Sequence, residues 1–198
     1  TTGVLRCYAR NRASTNQDEQ NFDGAVVGEC NMAAPISYDY GVGAVTCGAA
    51  SGANNFNVDC WGEVLAGSTG VHTFGLNTDD GGYVMVNNTA VVRDQTYHGW
   101  NGAGGAYTAS GTISLTAGTW YPIRAGFFEA GGGASWELKW TPPAGALANI
   151  PAASLRRVND HWARSADTII FDLVAHDVHS GPLMQNIVLS KSNAPTCS

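Results

Sequence analysis

Lysine, and charge in general, are what this 198-residue chain has least of. Only two lysines occur, Lys139 and Lys191, and charged residues make up 13% of the sequence, about half of the usual share. The formal net charge is −6, and apart from Arg156-Arg157 there is no cluster of basic residues that would follow a phosphate backbone. This composition excludes nucleic acid as a partner.

Long apolar runs are also missing. No stretch of 18 apolar residues occurs, so the sequence predicts neither a membrane-spanning helix nor membrane insertion. The first residues contain neither an apolar signal segment nor an initiator methionine, and we expect a mature or excised piece of a larger surface protein. Length and a hydrophobic content of 44% predict one domain over residues 1–198 that needs no metal merely to fold.

The cysteines lack the spacing of a zinc site. None of the five stands in a C-x-x-C pair, so we expect an oxidising compartment, one or two disulfides and a free thiol. Spacing alone leaves many connectivities open. Cys60 shares a strand face with Phe56 and Val58, which predicts that it is buried and unpaired. We expect at least one disulfide to join the N-terminal region to the rest of the domain, and because chain termini commonly lie close together, Cys7–Cys197 is the favoured pair.

Alternation of apolar and polar residues with period two dominates the middle of the chain. In residues 134–140, Trp136 and Leu138 share one face while Glu137 and Lys139 share the other, which predicts a half-buried strand. Further strands are predicted at 72–76, 83–86, 112–115, 120–128 and 168–174. Glycine-rich and asparagine-rich turns separate these segments, a pattern typical of an all-β antiparallel sandwich or barrel.

Helical periodicity is nearly absent. The segment 154–164 places Leu155, Val158 and Trp162 on one stripe behind Ser154, so we expect at most one or two short helices. Residues 1–55 alternate weakly and are rich in asparagine, glycine and alanine. We interpret them as long loops that join two or three strands.

The segment with the clearest chemical signal is 72–86, HTFGLNTDDGGYVMV. Adjacent carboxylates such as Asp79 and Asp80 repel each other unless a cation lies between them. Neighbouring side chains on a strand point to opposite faces, so both reach one ion only if the backbone is unusual. We expect Gly81 and Gly82 to provide that conformational freedom. A solvated turn without an ion is the alternative.

Several motifs together resemble the PA14 domain family, whose β-sandwich modules occur in adhesins, flocculins, glycosidases and toxins. They are WGEVLAGSTGVHTFGLNTDDGG, SGTISLTAGTWYPI and WYPIRAGFFEAGGGASWELKW. The resemblance covers residues 56–155 well and 1–55 loosely. It has no counterpart for 156–198, which we expect to pack as an extension on the same sandwich.

The resemblance implies a calcium-dependent lectin. In sugar-binding members, a cis peptide bond joins the two aspartates so that both face one Ca²⁺, and a second loop adds further ligands. The implied metal ligands are Asp79, Asp80, Ala130 and Gly132. The implied sugar contacts are Gln95, His98, Trp100, Glu129 and Gly131, with sugar hydroxyls completing the coordination of the ion. Ala130 stands where many relatives have asparagine, so one side-chain oxygen must come from water, Glu129 or another loop.

Three other interpretations of the sequence stand beside the lectin. A glycosidase needs two carboxylates on opposite sides of a substrate, whereas Asp79 and Asp80 are sequence neighbours suited to one cation, so the protein is not expected to be an enzyme. His176, Asp177 and His179 are a weak candidate for a transition-metal cluster. A structural or assembly PA14 module that binds no sugar is the main alternative. The expected location is extracellular or at the cell surface.

Overall fold

The computed structural model describes residues 1–12, 26–47, 49–50 and 53–157. The strands are β1 (Val4–Asn11), β2 (Val26–Ala33), β3 (Ser37–Gly41), β4 (Thr46–Cys47), β5 (Ala49–Ala50), β6 (Phe56–Leu65), β7 (Gly70–Asp79), β8 (Gly82–Val86), β9 (Thr89–Asp94), β10 (Ala109–Leu115), β11 (Trp120–Glu129), β12 (Ala134–Thr141), β13 (Ala148–Asn149) and β14 (Leu155–Arg156). A single 3₁₀ turn covers Ala152–Ser154. No helix among these residues is long and apolar enough to span a membrane.

Two antiparallel sheets face each other, which confirms the predicted β-sandwich. The larger sheet has the order β2-β1-β6-β11-β8-β9, with β14 also paired to β6. The smaller sheet has the order β10-β7-β12-β13, with β3 also paired to β12. The strands predicted at 72–76, 83–86, 112–115, 120–128 and 134–140 are all present. The strand predicted at 168–174 lies outside the described residues.

The core lies between the two sheets because one face of each long strand is apolar. Phe127 of β11 stacks on Trp136 of β12 with ring centroids 5.1 Å apart, and Phe56 meets Phe127 edge-on at 5.8 Å. All three side chains are fully buried, together with Phe74 and Leu76 of β7. Burial of this apolar surface stabilises the sandwich, at about 1.5–3 kcal/mol for each large side chain.

Both faces of β12 are buried, so the prediction of a half-buried strand is wrong. Glu137 and Lys139, expected to face solvent, are 1% and 2% exposed. The N-terminal region also contains more strand than predicted, because β1 and β2 run for eight residues each and three shorter strands follow. The polar and small residues of β1 conceal the alternation that its pairing with β2 and β6 imposes.

The helix predicted at 154–164 is wrong at its start. Ser154 ends the 3₁₀ turn, and Leu155 begins a two-residue strand opposite Val64 of β6. Leu155 is fully buried, so its side chain packs in the sandwich core and not on the apolar stripe of a helix. Val158 and Trp162 lie outside the described residues.

Cys60 is buried as predicted, but it is not unpaired, and the predicted Cys7–Cys197 pair is wrong. Cys7 is bonded to Cys60, and Cys30 is bonded to Cys47. Cys7 of β1 stands directly opposite Cys60 of β6 in the antiparallel register, so the ladder itself brings the two together. The broader expectation that a disulfide joins the N-terminal region to the sandwich is confirmed. Cys197 lies outside the described residues.

Candidate functional site

The candidate site begins where β7 ends at Asp79. The peptide bond between Asp79 and Asp80 is cis, as predicted. The Asp80 amide donates to the Phe128 carbonyl at 3.1 Å, and the Phe128 amide donates to the Gly81 carbonyl at 2.9 Å. These two hydrogen bonds fasten the end of β11 beside the aspartate pair. The next residue of β11, Glu129, therefore lies against that pair.

Gly81 and Gly82 serve this junction through their lack of a side chain. Neither glycine has a positive φ. A Cβ on Gly81 would lie 2.4 Å from the Asp94 carbonyl oxygen, and one on Gly82 would lie 2.2 Å from that of Gly126. Both distances are far below a normal contact. Gly81 and Gly82 are therefore needed because neighbouring backbone packs closely against them, and not, as expected, because they adopt an unusual conformation.

Three carboxylates meet at this point. One oxygen from each of Asp79, Asp80 and Glu129 lies within 4.8 Å of the other two. Glu129 is fully buried, and neither of its oxygens has a hydrogen-bond partner among the described residues. A buried carboxylate without a partner is costly, because its charged form loses hydration and gains nothing in return. The three carboxylates supply only oxygen donors, the type of ligand that hard cations prefer.

The pKa values of two of these carboxyls reflect this crowding. Burial, and then the charges of Asp80 and Asp79, raise the pKa of Glu129 to about 8. The Gly131 amide and the Arg12 guanidinium oppose this shift in part, although the amide does not reach hydrogen-bond geometry. Burial and the charge of Asp80 also raise the pKa of Asp79. A bound cation would reverse these shifts by stabilising the charged forms.

Asp80 is held by both neighbouring loops. The His98 amide donates to Asp80 Oδ1 at 3.1 Å, and the Ala130 amide donates to Asp80 Oδ2 at 2.8 Å. The first amide belongs to loop 95–108, between β9 and β10. The second belongs to loop 130–133, between β11 and β12. The carboxylate is thus fixed in place while each oxygen keeps lone pairs for a cation.

Loop 95–108 is stabilised at its start by the His98 ring. The Nε2 atom lies 2.8 Å from Asp94 Oδ2, and Nδ1 lies 3.1 Å from the Gly99 carbonyl oxygen. Partial burial lowers the pKa of His98, but the bonds to Asp94 and Gly99 outweigh it and leave the pKa above its usual value. Because both partners are acceptors, only the protonated ring satisfies both.

The remaining predicted site residues lie on the two loops. Gln95 and Gly131 are exposed, and Trp100 is half-buried outside the core. Gly132 has φ +113°, a conformation that favours glycine, and its amide donates to Asn54 Oδ1 at 3.2 Å. Glu129, predicted as a sugar contact, is fully buried beside the two aspartates. His176, Asp177 and His179 lie outside the described residues.

A polar groove of about 480 Å³ runs along loop 95–108. Its lining residues include Arg93, Asp94, His98, Asn101 and Tyr107. Tyr97, on the same loop, is 55% exposed and meets Phe128 edge-on at 5.9 Å. The surroundings of the carboxylates thus combine polar groups and an exposed aromatic ring.

The PA14 domain family model matches residues 2–154. The match therefore includes the N-terminal region, where the resemblance in sequence was loose. A comparison of the sequence with curated proteins gave no match. Among solved structures, an anti-sigma factor domain-containing protein is similar with a TM-score of 0.62 and 21% identity. The similarity covers 81% of this chain and 50% of that one, so this chain spans about half of its length.

Two adhesin domains are also similar in structure. The A domain of epithelial adhesin 6 from Candida glabrata, solved in complex with Galβ1-3GlcNAc, has a TM-score of 0.54 and 16% identity, over 81% of this chain and 90% of that one. The PA14 sugar-binding domain from an RTX adhesin has a TM-score of 0.54 and 15% identity, over 80% and 100%. Identities this low show a common fold.

Proposed function

The chain belongs to the PA14 domain family, and from that premise we propose that it is a calcium-dependent carbohydrate-binding module. The observation that carries the proposal is the convergence of Asp79, Asp80 and Glu129, whose oxygens lie within 4.8 Å of one another. Structural similarity to a sugar-binding domain of an adhesin supports the same assignment.

The residues present fit calcium. Ca²⁺ prefers six to eight oxygen ligands, and this cluster offers carboxylate oxygens without nitrogen or sulfur donors. Asp80 is already oriented by two backbone amides, which lowers the cost of organising the site. When bound, the ion would supply positive charge to the cluster and open coordination positions for sugar hydroxyls.

Glu129 can replace the side-chain oxygen that is missing at Ala130. Ala130 has no side-chain oxygen, whereas the adjacent Glu129 directs a buried carboxylate without a partner toward the aspartates. We therefore assign Glu129 to the cation instead of the sugar. The carbonyl groups of Ala130 and Gly132 remain the proposed backbone ligands of the same loop.

The sugar would lie against the exposed parts of the two loops. Gln95, His98 and Gly131 offer polar groups, and Trp100 offers an aromatic face for the apolar side of a sugar ring. The chemistry that such a site supports is binding, since the three carboxylates converge on one point instead of lying across a substrate. The proposed module is therefore not an enzyme.

Two disulfides in the described part of the chain support an extracellular or cell-surface location. The proposed parent is a larger surface protein that presents this module to glycans. The proposed ligand is a cell-surface glycan or a free polysaccharide, and a binding screen distinguishes the two.

A glycan array with and without chelator tests the proposal, with Galβ1-3GlcNAc among the probes. We expect binding that calcium restores after chelation. Asp80→Asn removes a charged oxygen donor and should abolish both calcium and glycan binding while the fold persists. Glu63→Gln is the matched control, because it also removes one carboxylate charge but pairs with Arg156. Glycan binding that survives chelation would refute the role of calcium.

A structural or assembly module is the second candidate, and Ala130 is the observation that favours it. It predicts that neither the parent chain nor Asp80→Asn binds any glycan on the array. It also predicts no rise in thermal stability when calcium is added, because a ligand stabilises only a native state that binds it.

A further inference from the structure

A polar network lies beneath loop 95–108 on the outer face of the smaller sheet. Its centre is Glu137 of β12, which is 1% exposed although its alternation placed it toward solvent. A carboxylate is rarely buried to this extent unless it is fully partnered. The network is separate from the carboxylates of Asp79, Asp80 and Glu129, which are called the cation cluster below.

Glu137 accepts hydrogen bonds from both the loop and the sheet. Its Oε1 accepts from the Gly104 amide at 2.9 Å and from the Ser37 hydroxyl at 3.0 Å. Its Oε2 accepts from Asn77 Nδ2 at 2.8 Å and from Lys139 Nζ at 3.2 Å. Burial raises the pKa of Glu137, but these hydrogen bonds outweigh it and leave the pKa below its usual value.

Asn77 connects this carboxylate to the loop a second time. It stands opposite Glu137 in the β7–β12 register and is fully buried. Its Nδ2 also donates to the Gly102 carbonyl at 2.9 Å, and its Oδ1 accepts from the Asn101 amide at 2.8 Å. One side chain therefore holds the amide of Asn101 and the carbonyl group of the next residue, Gly102.

Loop 95–108 is consequently held on both sides of Trp100. One anchor is the hydrogen bond from the His98 amide to Asp80, inside the cation cluster. The other is the Asn77–Glu137 pair, which holds residues 101–104 and contacts no carboxylate of that cluster in the bonds described. Trp100 lies in the short segment between the two anchors.

We infer that Asn77 and Glu137 are positioning residues, which hold residues 101–104, and with them the adjacent Trp100, in a fixed arrangement without help from the cation. This inference rests on the proposed sugar-binding function for its biological meaning. The anchoring itself is a property of the loop, and it is measurable without any sugar. Removing the cation should therefore leave residues 101–104 ordered while it loosens the groups around Asp80.

Amide hydrogen exchange tests the anchoring, with Asn77→Ala as the variant and Ser37→Ala as its control. Ser37→Ala removes a hydrogen bond to the same carboxylate from β3, with no contact to the loop. We expect Asn77→Ala to speed the exchange of the Asn101 amide, which donates to Asn77, at least about tenfold, the effect of losing one buried hydrogen bond. Calcium affinity, measured by titration calorimetry, should stay within about twofold of the parent.

Three results would overturn the inference: unchanged exchange in Asn77→Ala, an equal change in Ser37→Ala, or a tenfold loss of calcium affinity. If Asn77→Ala does not fold, the parent chain decides the matter. Its Asn101 and Gly104 amides must then keep their protection when calcium is removed, and loss of that protection refutes the inference. Glycan-array binding is read separately, so a failure of the proposed function leaves the exchange result interpretable.

Discussion

Without a cation, the domain should lose stability as the pH rises from about 5 to about 8. Glu129 has a pKa of about 8 in the native state, against an ordinary value of 4.5. Between these values, the native protein keeps a proton that the unfolded chain has released. The free energy of unfolding therefore falls with rising pH, the reverse of the behaviour of most paired carboxylates.

The size of this effect follows from the proton count. At pH 6, an ordinary glutamate is about 97% ionised, whereas one with a pKa of about 8 is about 1% ionised. The difference is close to one proton, so the slope approaches about 1.4 kcal/mol per pH unit. The pKa of Asp79 is also raised and acts in the same direction. The stability that the raised pKa of His98 adds below pH 6.5 is likewise lost as the pH rises through its native pKa.

Urea denaturation of calcium-free protein, followed by tryptophan fluorescence at several pH values, measures this slope. Glu129→Gln removes the titrating group and should flatten most of it. Saturating calcium should abolish the decline, because the ion replaces the proton as the partner of the cluster. A calcium-free stability that is flat or rises over this pH range would refute the argument, as would an unchanged slope in Glu129→Gln.

Three further outcomes are expected. Trp100→Ala should weaken glycan binding and leave calcium affinity unchanged in calorimetry, and loss of both would recast Trp100 as a structural residue. Removing the Cys7–Cys60 disulfide by serine substitution should cost about 4 kcal/mol of unfolding free energy, against about 3 for Cys30–Cys47, because the closed loops span 53 and 17 residues. Equal losses in denaturant titrations would contradict this ranking. Gly81→Ala should destabilise the domain by about 1–3 kcal/mol, because its Cβ would lie 2.4 Å from a backbone oxygen. Gly67→Ala, where nothing lies within 4 Å, should be nearly neutral in the same thermal melts.

Period-two alternation predicted the central strands well, because each buries one apolar face in the sandwich. The same pattern misled for Glu137 and Lys139, since alternation reports only which face meets the core. It carries no information about a distant loop that covers the other face. The stripe of Leu155 failed for a related reason: one buried leucine satisfies a short strand as well as a helix.

The candidate site was only partly predictable. Asp79 and Asp80 are recognisable in the sequence as adjacent carboxylates before two glycines. The cis peptide bond between them was predicted only from the resemblance to a family. The role of Glu129 depends on the Asp80–Phe128 pairing across two strands, which no local pattern encodes. The pairing of Cys7 with Cys60 likewise depends on strand order, because β1 and β6 are neighbours only after the sheet has assembled.

The two hydrogen bonds that Asp80 receives come from backbone amides, one in each loop. A backbone amide is the same group whatever side chain its residue carries, with the sole exception of proline, which has none to donate. Selection is therefore free to rewrite the side chains of positions 98 and 130, and of their neighbours, while the aspartate keeps its place. The backbone that holds Asp80 must stay constant, whereas the side chains of the two loops can vary. Grafting loops from relatives should therefore change ligand preference without disturbing the position of Asp80.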